Sequence, residues 1–169
     1  DPEAVARGLC NLEKHIDTVQ QFGLQAVVAI NRFASDADAE HRVIADCMQA
    51  MGVPVVVADP FGSGGAGCEV LAKQVMSVAS ARQPKFLYEL NDPIEKKLND
   101  LVRAAYGADG VVLSELAKKQ IKGLVKHGYG GLPLCMAKTP SSLSDNPSLR
   151  GRPTGFSIQV ASIQVNAGA

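Results

Sequence analysis

The sequence predicts an α/β protein built on parallel strands, and three observations carry that prediction. Along the first half of the chain, stretches with an apolar residue every three or four positions alternate with short, continuously apolar runs. The runs, Ala26 to Ile30 and Val53 to Ala58, are too short for helices and too uniformly apolar for strands with one face in water. The second run leads into Asp59-Pro-Phe-Gly-Ser-Gly-Gly-Ala-Gly-Cys68, a glycine-rich turn before a helix start, where backbone can approach a ligand closely and free N–H groups can face an anion.

Each element follows in order. Val5, Leu9, Leu12, Ile16, Val19 and Phe22 mark an amphipathic helix that Gly23 ends. The strand Ala26 to Ile30 and a loop, Asn31 to Asp36, lead to a helix whose apolar side is Val43, Ile44, Cys47, Met48 and Met51, stopped by Gly52. After the strand Val53 to Ala58 and the glycine turn, Leu71, Val75 and Val78 form the face of a third helix. Residues 1–83 therefore read as helix-strand-helix-strand-helix. Pro84 to Pro93 carries two prolines and reads as a boundary, which makes 84–169 a second, smaller α+β portion. There, Ile94, Leu98, Leu101 and Ala105 define a helix closed by Gly107 and Gly110, and Ser114 caps another that runs to His127 with Ala117, Ile121 and Leu124 inward. Leu132 to Ala137 and Phe156 to Val165 are the expected strands, separated by a polar loop over 138–153.

Composition narrows the partners. With 46% hydrophobic residues in 169, the chain can bury a real core. Lys plus Arg and Asp plus Glu are 17 each, so no overall field draws it to nucleic acid or to an anionic membrane. No apolar run approaches the ~20 residues of a membrane span, and Asp1 to Arg7 lacks a signal-peptide pattern, so the expected compartment is the cytoplasm, or an organelle matrix where a leader has been removed. Cys10, Cys47, Cys68 and Cys135 are far apart and read as buried, reduced thiols. His15, His41 and His127 are equally dispersed, and no bound metal is expected.

Parallel sheets hold ligands at the carboxyl ends of their strands, so Phe33 and Phe61 should face one crevice, where two rings could sandwich a flat heterocycle. The alternative is that each ring tucks under its own loop as local core. Asn31 ends its strand either as a purine-reading residue or as a turn former. Gly62, Gly64 and Gly67 spell G-x-G-x-x-G, but Asp59, Pro60 and Phe61 separate them from the strand, which disfavours an ordinary dinucleotide site. Lys118, Lys119, Lys122 and Lys126 read as a solvated face or as a lure for a polyanionic tail. Lys138, Arg150 and Arg152 flank the long polar loop, and Lys138 and Arg152 are the candidate anion contacts.

Six blocks in order carry a resemblance: Asn11-Leu-Glu-Lys-His-Ile16, Val28-Ala-Ile-Asn-Arg-Phe33, Gly64-Gly-Ala-Gly67, Tyr106-Gly-Ala-Asp-Gly110, Leu132-Pro-Leu-Cys-Met-Ala-Lys-Thr139 and Gly151-Arg-Pro-Thr-Gly-Phe156. Together they resemble formate–tetrahydrofolate ligase over essentially the whole chain. The resemblance implies that residues 1–83 are part of a parallel-sheet, P-loop-type nucleotide- and folate-binding domain. It also implies an ATP-dependent carbon–nitrogen ligase of one-carbon metabolism, in which Mg-ATP phosphorylates formate and the N10 amine of tetrahydrofolate attacks the formyl phosphate. It places Phe33 and Phe61 on the pterin, with Phe61 where the family usually has tryptophan, and lines the crevice near the nucleotide with Asn31, Gly64, Gly65 and Gly67. Pro140 and Ser141 stand where the family commonly has glutamine and tyrosine. The family's G-x-x-x-x-G-K-[ST] phosphate loop has no counterpart in these residues, so the chain is expected to be a C-terminal-half fragment, inactive alone, of an enzyme that is usually a homo-oligomer. No catalytic residue is singled out. The competing class is a non-catalytic folate- or nucleotide-binding remnant or an interaction module.

Overall fold

A computed structural model describes residues 1–79, 83–137 and 139–166. The chain divides into two compact units, Asp1–Pro84 and Lys85–Ala169. Both are α/β, and each is organised on one pair of parallel strands.

In the first unit, α1 (Pro2–Gln21) opens on Asp1, whose side chain accepts from Glu3 N and Ala4 N, and ends before Gly23, which takes the left-handed φ of +79°. The strands β1 (Val28–Asn31) and β2 (Val55–Ala58) pair in parallel, with α2 (Asp38–Ala50) as the crossover between them. Ile16 from α1, Met48 from α2 and Val53 before β2 are buried together, with Leu12, Val28, Ile44 and Val55 packed around them. The apolar spacing read from the sequence is therefore the spacing that builds this core. Beyond β2 come a short α3 (Pro60–Ser63), a 3-10 turn (Gly64–Cys68) and α4 (Glu69–Val78). On α4, Leu71 and Val78 are half-buried and Val75 is exposed.

The second unit contains α5 (Ile94–Leu101), which continues as a π-helical turn over Val102–Tyr106 and stops at the left-handed Gly107. Then follow β3 (Gly110–Leu113), α6 (Glu115–Lys126) capped by the Ser114 hydroxyl on Ala117 N, a 3-10 turn (Tyr129–Gly131) and β4 (Ser157–Val160), which pairs in parallel with β3. Two buried clusters hold it, Val102 with Ala108, Phe156 and Ile158, and Ile94 with Leu98 and Ile121.

Three expectations change here. Leu132 to Ala137 is not a strand, because side chains rather than a neighbouring strand take its backbone groups. Lys97 Nζ donates to Leu132 O at 2.8 Å, Leu134 N donates to the Tyr88 hydroxyl at 2.6 Å, and Pro133 has no N–H to give. The partner of the last strand is instead Gly110–Leu113, a run too short to show a period and hidden behind the glycine expected to close a helix. That last strand stops at Val160, since Ser114 Oγ donates to Ala161 O and Ile163 N donates to Gln120 Oε1. The cysteines also differ: all four are free, but Cys10, Cys47 and Cys68 are only half-buried and Cys135 is exposed.

Candidate functional site: the carboxyl ends of the first strand pair

In the register of the first sheet Asn31 lies opposite Ala58, and Arg32 N extends the pairing by donating to Ala58 O at 2.9 Å. The two loops therefore leave the same sheet edge side by side. Phe33 rides on one and is 59% exposed, and Phe61 rides on the other and is 95% exposed. A ring left almost wholly in water is not local core, so the alternative raised by the sequence does not describe Phe61. Asn31 is exposed at the end of β1.

The loop after β1 is held by polar groups. Asp36 Oδ2 accepts from Phe33 N at 2.9 Å, Asp36 N donates back to Phe33 O at 3.1 Å, and His41 Nε2 lies 3.4 Å from the same carboxylate oxygen. The Phe33 N–H is the main reason the Asp36 carboxyl is held below the usual carboxylate range; partial burial opposes it, and His41 and Arg32 add to it.

The loop after β2 is organised by Asp59. Its carboxylate accepts from Gly62 N at 2.7 Å and Ser63 Oγ at 3.1 Å, and its backbone N–H donates to Gly67 O at 3.1 Å. Asp59 thus supplies the anion at the first helical turn, and Pro60 follows at the position where its missing N–H costs nothing. Gly64 has φ +55°, and a Cβ on Gly67 would lie 2.1 Å from the Asp59 carbonyl oxygen, whereas one on Gly65 would meet nothing within 4 Å. Gly64 and Gly67 therefore close the chain around Asp59 rather than forming an open cradle. Changing Gly67→Ala must push backbone against backbone, an overpacking cost of about 1–3 kcal/mol. A thermal melt should show a clear drop for Gly67→Ala and none for Gly65→Ala, and equal melts would contradict this account of the turn.

Asp36, His41 and Asp59 are site residues that the sequence reading did not single out. Asp59 was legible, since Asp followed by Pro is a helix-start signal; Asp36 was not, because its partners depend on how the loop folds back. Of the anion candidates, Lys138 lies outside the described residues. Arg152 belongs to the second unit and is exposed. The loop before it is built on its own polar groups: Thr139 Oγ1 donates to Ser142 O, Ser144 Oγ accepts from Asn146 N at 3.0 Å, and Asp145 Oδ2 accepts from Gln159 N at 2.8 Å.

The family described as formate–tetrahydrofolate ligase matches residues 1–169. The chain belongs to the formate–tetrahydrofolate ligase family. It is 43% identical over 169 residues to the formate–tetrahydrofolate ligase of Bacillus pumilus, covering 99% of this chain and 30% of that protein. Against the ligase of the same name from Bacillus licheniformis it is 44% identical over 171 residues, covering 100% of this chain and 31% of that protein. The chain thus spans about 30% of the length of the curated relatives it matches. Among the described residues, no helix is long and apolar enough to cross a membrane.

Proposed function

We propose that this chain carries the pterin-binding edge of a formate–tetrahydrofolate ligase. The observation that carries the reading is the pair of exposed phenylalanines, Phe33 and Phe61, at the carboxyl ends of adjacent parallel strands in a member of that family. Flat, uncovered π-faces at a sheet edge suit a stacked heterocycle. In the whole enzyme, ATP phosphorylates formate to formyl phosphate, and the N10 amine of tetrahydrofolate attacks the formyl carbon with loss of phosphate. The products are 10-formyltetrahydrofolate, ADP and phosphate.

The first unit is then a piece of a P-loop-type domain, with Asn31 and the turn of Gly64, Gly65 and Gly67 beside the nucleotide. This turn does not fit the triphosphate itself. Asp59 already occupies the Gly62 N–H, and its charge would repel a phosphate there. The phosphate and magnesium end of Mg-ATP is assigned to the G-x-x-x-x-G-K-[ST] loop that the family resemblance implies for a whole ligase. Lys138 and Arg152 remain proposed anion contacts, and the longer enzyme is proposed to be a cytoplasmic homo-oligomer.

The test is equilibrium binding to the purified 169-residue chain, alongside an assay of formate-dependent ADP release. Tetrahydrofolate is expected to bind saturably and to raise the melting temperature, NAD and NADP to do neither, and ADP release to be absent, because phosphoryl transfer depends on positioned phosphate contacts. Saturable NAD(P) binding without tetrahydrofolate binding would overturn the pterin reading in favour of a dinucleotide site.

A further inference from the structure

We propose that Asp36, braced by His41, is a positioning residue that holds Phe33 in its stacking orientation. The proposal rests on the pterin reading above and adds to it the group that aims one of the rings.

Phe33 has little apolar cover, so packing does not set its direction. What is held is its backbone, and with it the point from which the ring projects, because both of its polar backbone groups go to one residue: Phe33 N–H donates to Asp36 Oδ2 at 2.9 Å, and Phe33 O accepts from Asp36 N at 3.1 Å. The same carboxylate oxygen faces His41 Nε2 at 3.4 Å, and the His41 side chain is only 11% exposed. His41 lies in the first turn of α2, which is anchored in the core through Ile44 and Met48. A continuous chain of contacts therefore runs from the buried core through α2 and His41 to Asp36 and the Phe33 backbone. The other charges nearby are Arg32, whose guanidinium lies 3.9 Å from Asp38, and Glu40, which accepts from Ala37 N at 2.8 Å. Neither makes a hydrogen bond to Phe33, which leaves Asp36 as the clamp. A ring pre-set in this way avoids the cost of ordering its loop when the ligand arrives.

The experiment compares the purified chain with its Asp36→Ala, Asp36→Asn, His41→Gln and Phe33→Ala variants by three readouts. These are amide exchange at Phe33 followed by NMR, tetrahydrofolate affinity by titration, and the melting curve. Asp36→Ala is expected to speed Phe33 amide exchange and to weaken tetrahydrofolate binding by roughly ten-fold each, the scale of one charged hydrogen bond. Asn keeps an oxygen acceptor, so Asp36→Asn should recover most of both effects, and His41→Gln should give a smaller loss of the same kind. A merely structural role would move the melting curve without this rescue pattern. If Phe33→Ala weakens folate while Asp36→Ala changes neither exchange nor affinity, the positioning role is overturned and the pterin reading stands. If the unsubstituted chain does not bind tetrahydrofolate, the pterin reading fails, and Phe33 amide exchange alone decides whether Asp36 sets the loop: unchanged exchange in Asp36→Ala overturns it. Should Asp36→Ala melt early, the His41→Gln and Asp36→Asn variants carry the same comparison.

Discussion

Replacing Lys97 with methionine is expected to destabilise the second unit by about 3–5 kcal/mol, the largest stability effect of any single substitution considered for this chain. Lys97 is fully buried on α5, and its ammonium donates to three backbone carbonyls: Leu90 O at 3.2 Å, Gly130 O at 2.7 Å and Leu132 O at 2.8 Å. The Tyr88 ring lies 6.0 Å from it. Burial pushes the Lys97 pKa down, and the charge of Asp92 opposes that shift. A buried ion is often replaceable by an apolar residue when its partner is replaced as well. Here the partners are main-chain oxygens that no side-chain change removes, and a main-chain oxygen costs about 1–3 kcal/mol wherever it loses its donor away from water. Orphaned carbonyls therefore outweigh the gain from removing a buried charge. A melt followed by near-ultraviolet circular dichroism should show a midpoint lower by roughly 15 °C or more for a unit of this size. A midpoint within a few degrees of the unsubstituted protein would contradict the tripod account.

Much of the fold was legible because it is local. The spacing of Leu12, Ile16, Ile44 and Met48 and the stops at Gly23 and Gly52 set α1, α2 and the parallel crossover, and Ser114 announced α6. What escaped was set by side chains reaching far along the sequence. Leu132 to Ala137 has the composition of a strand, but Leu132 O is taken by Lys97 and Leu134 N by Tyr88, and nothing in the segment itself records that. Lys97 did leave a trace, since it occupies the i+3 place of the stripe Ile94, Lys97, Leu98, Leu101, where a solvated lysine is out of position. At the candidate site, the aromatic positions on the two loops were readable from strand ends alone. Asp59 was readable as a helix cap before Pro60, but the role of Asp36 was not, because it depends on a turn closing back onto the strand end.

The second large effect concerns tetrahydrofolate. In a longer ligase carrying this sequence, Phe61→Ala and Phe33→Ala each remove one stacking face, worth about 0.5–1.5 kcal/mol beyond the ring area that would be buried against the pterin. Together these terms predict a rise of at least roughly ten-fold in the KM for tetrahydrofolate. ATP and formate do not touch the rings in this account, so their KM values should change little. Stability should also hold, above all for Phe61, which is 95% exposed and has almost no packing to lose.

The most direct test of the pterin-binding edge is therefore the KM for each of the three substrates, measured with Phe61→Ala beside a melting curve. A selective loss for tetrahydrofolate in a protein that melts normally is the predicted result. An unchanged tetrahydrofolate KM, or an equal loss for ATP, formate and tetrahydrofolate, would contradict it.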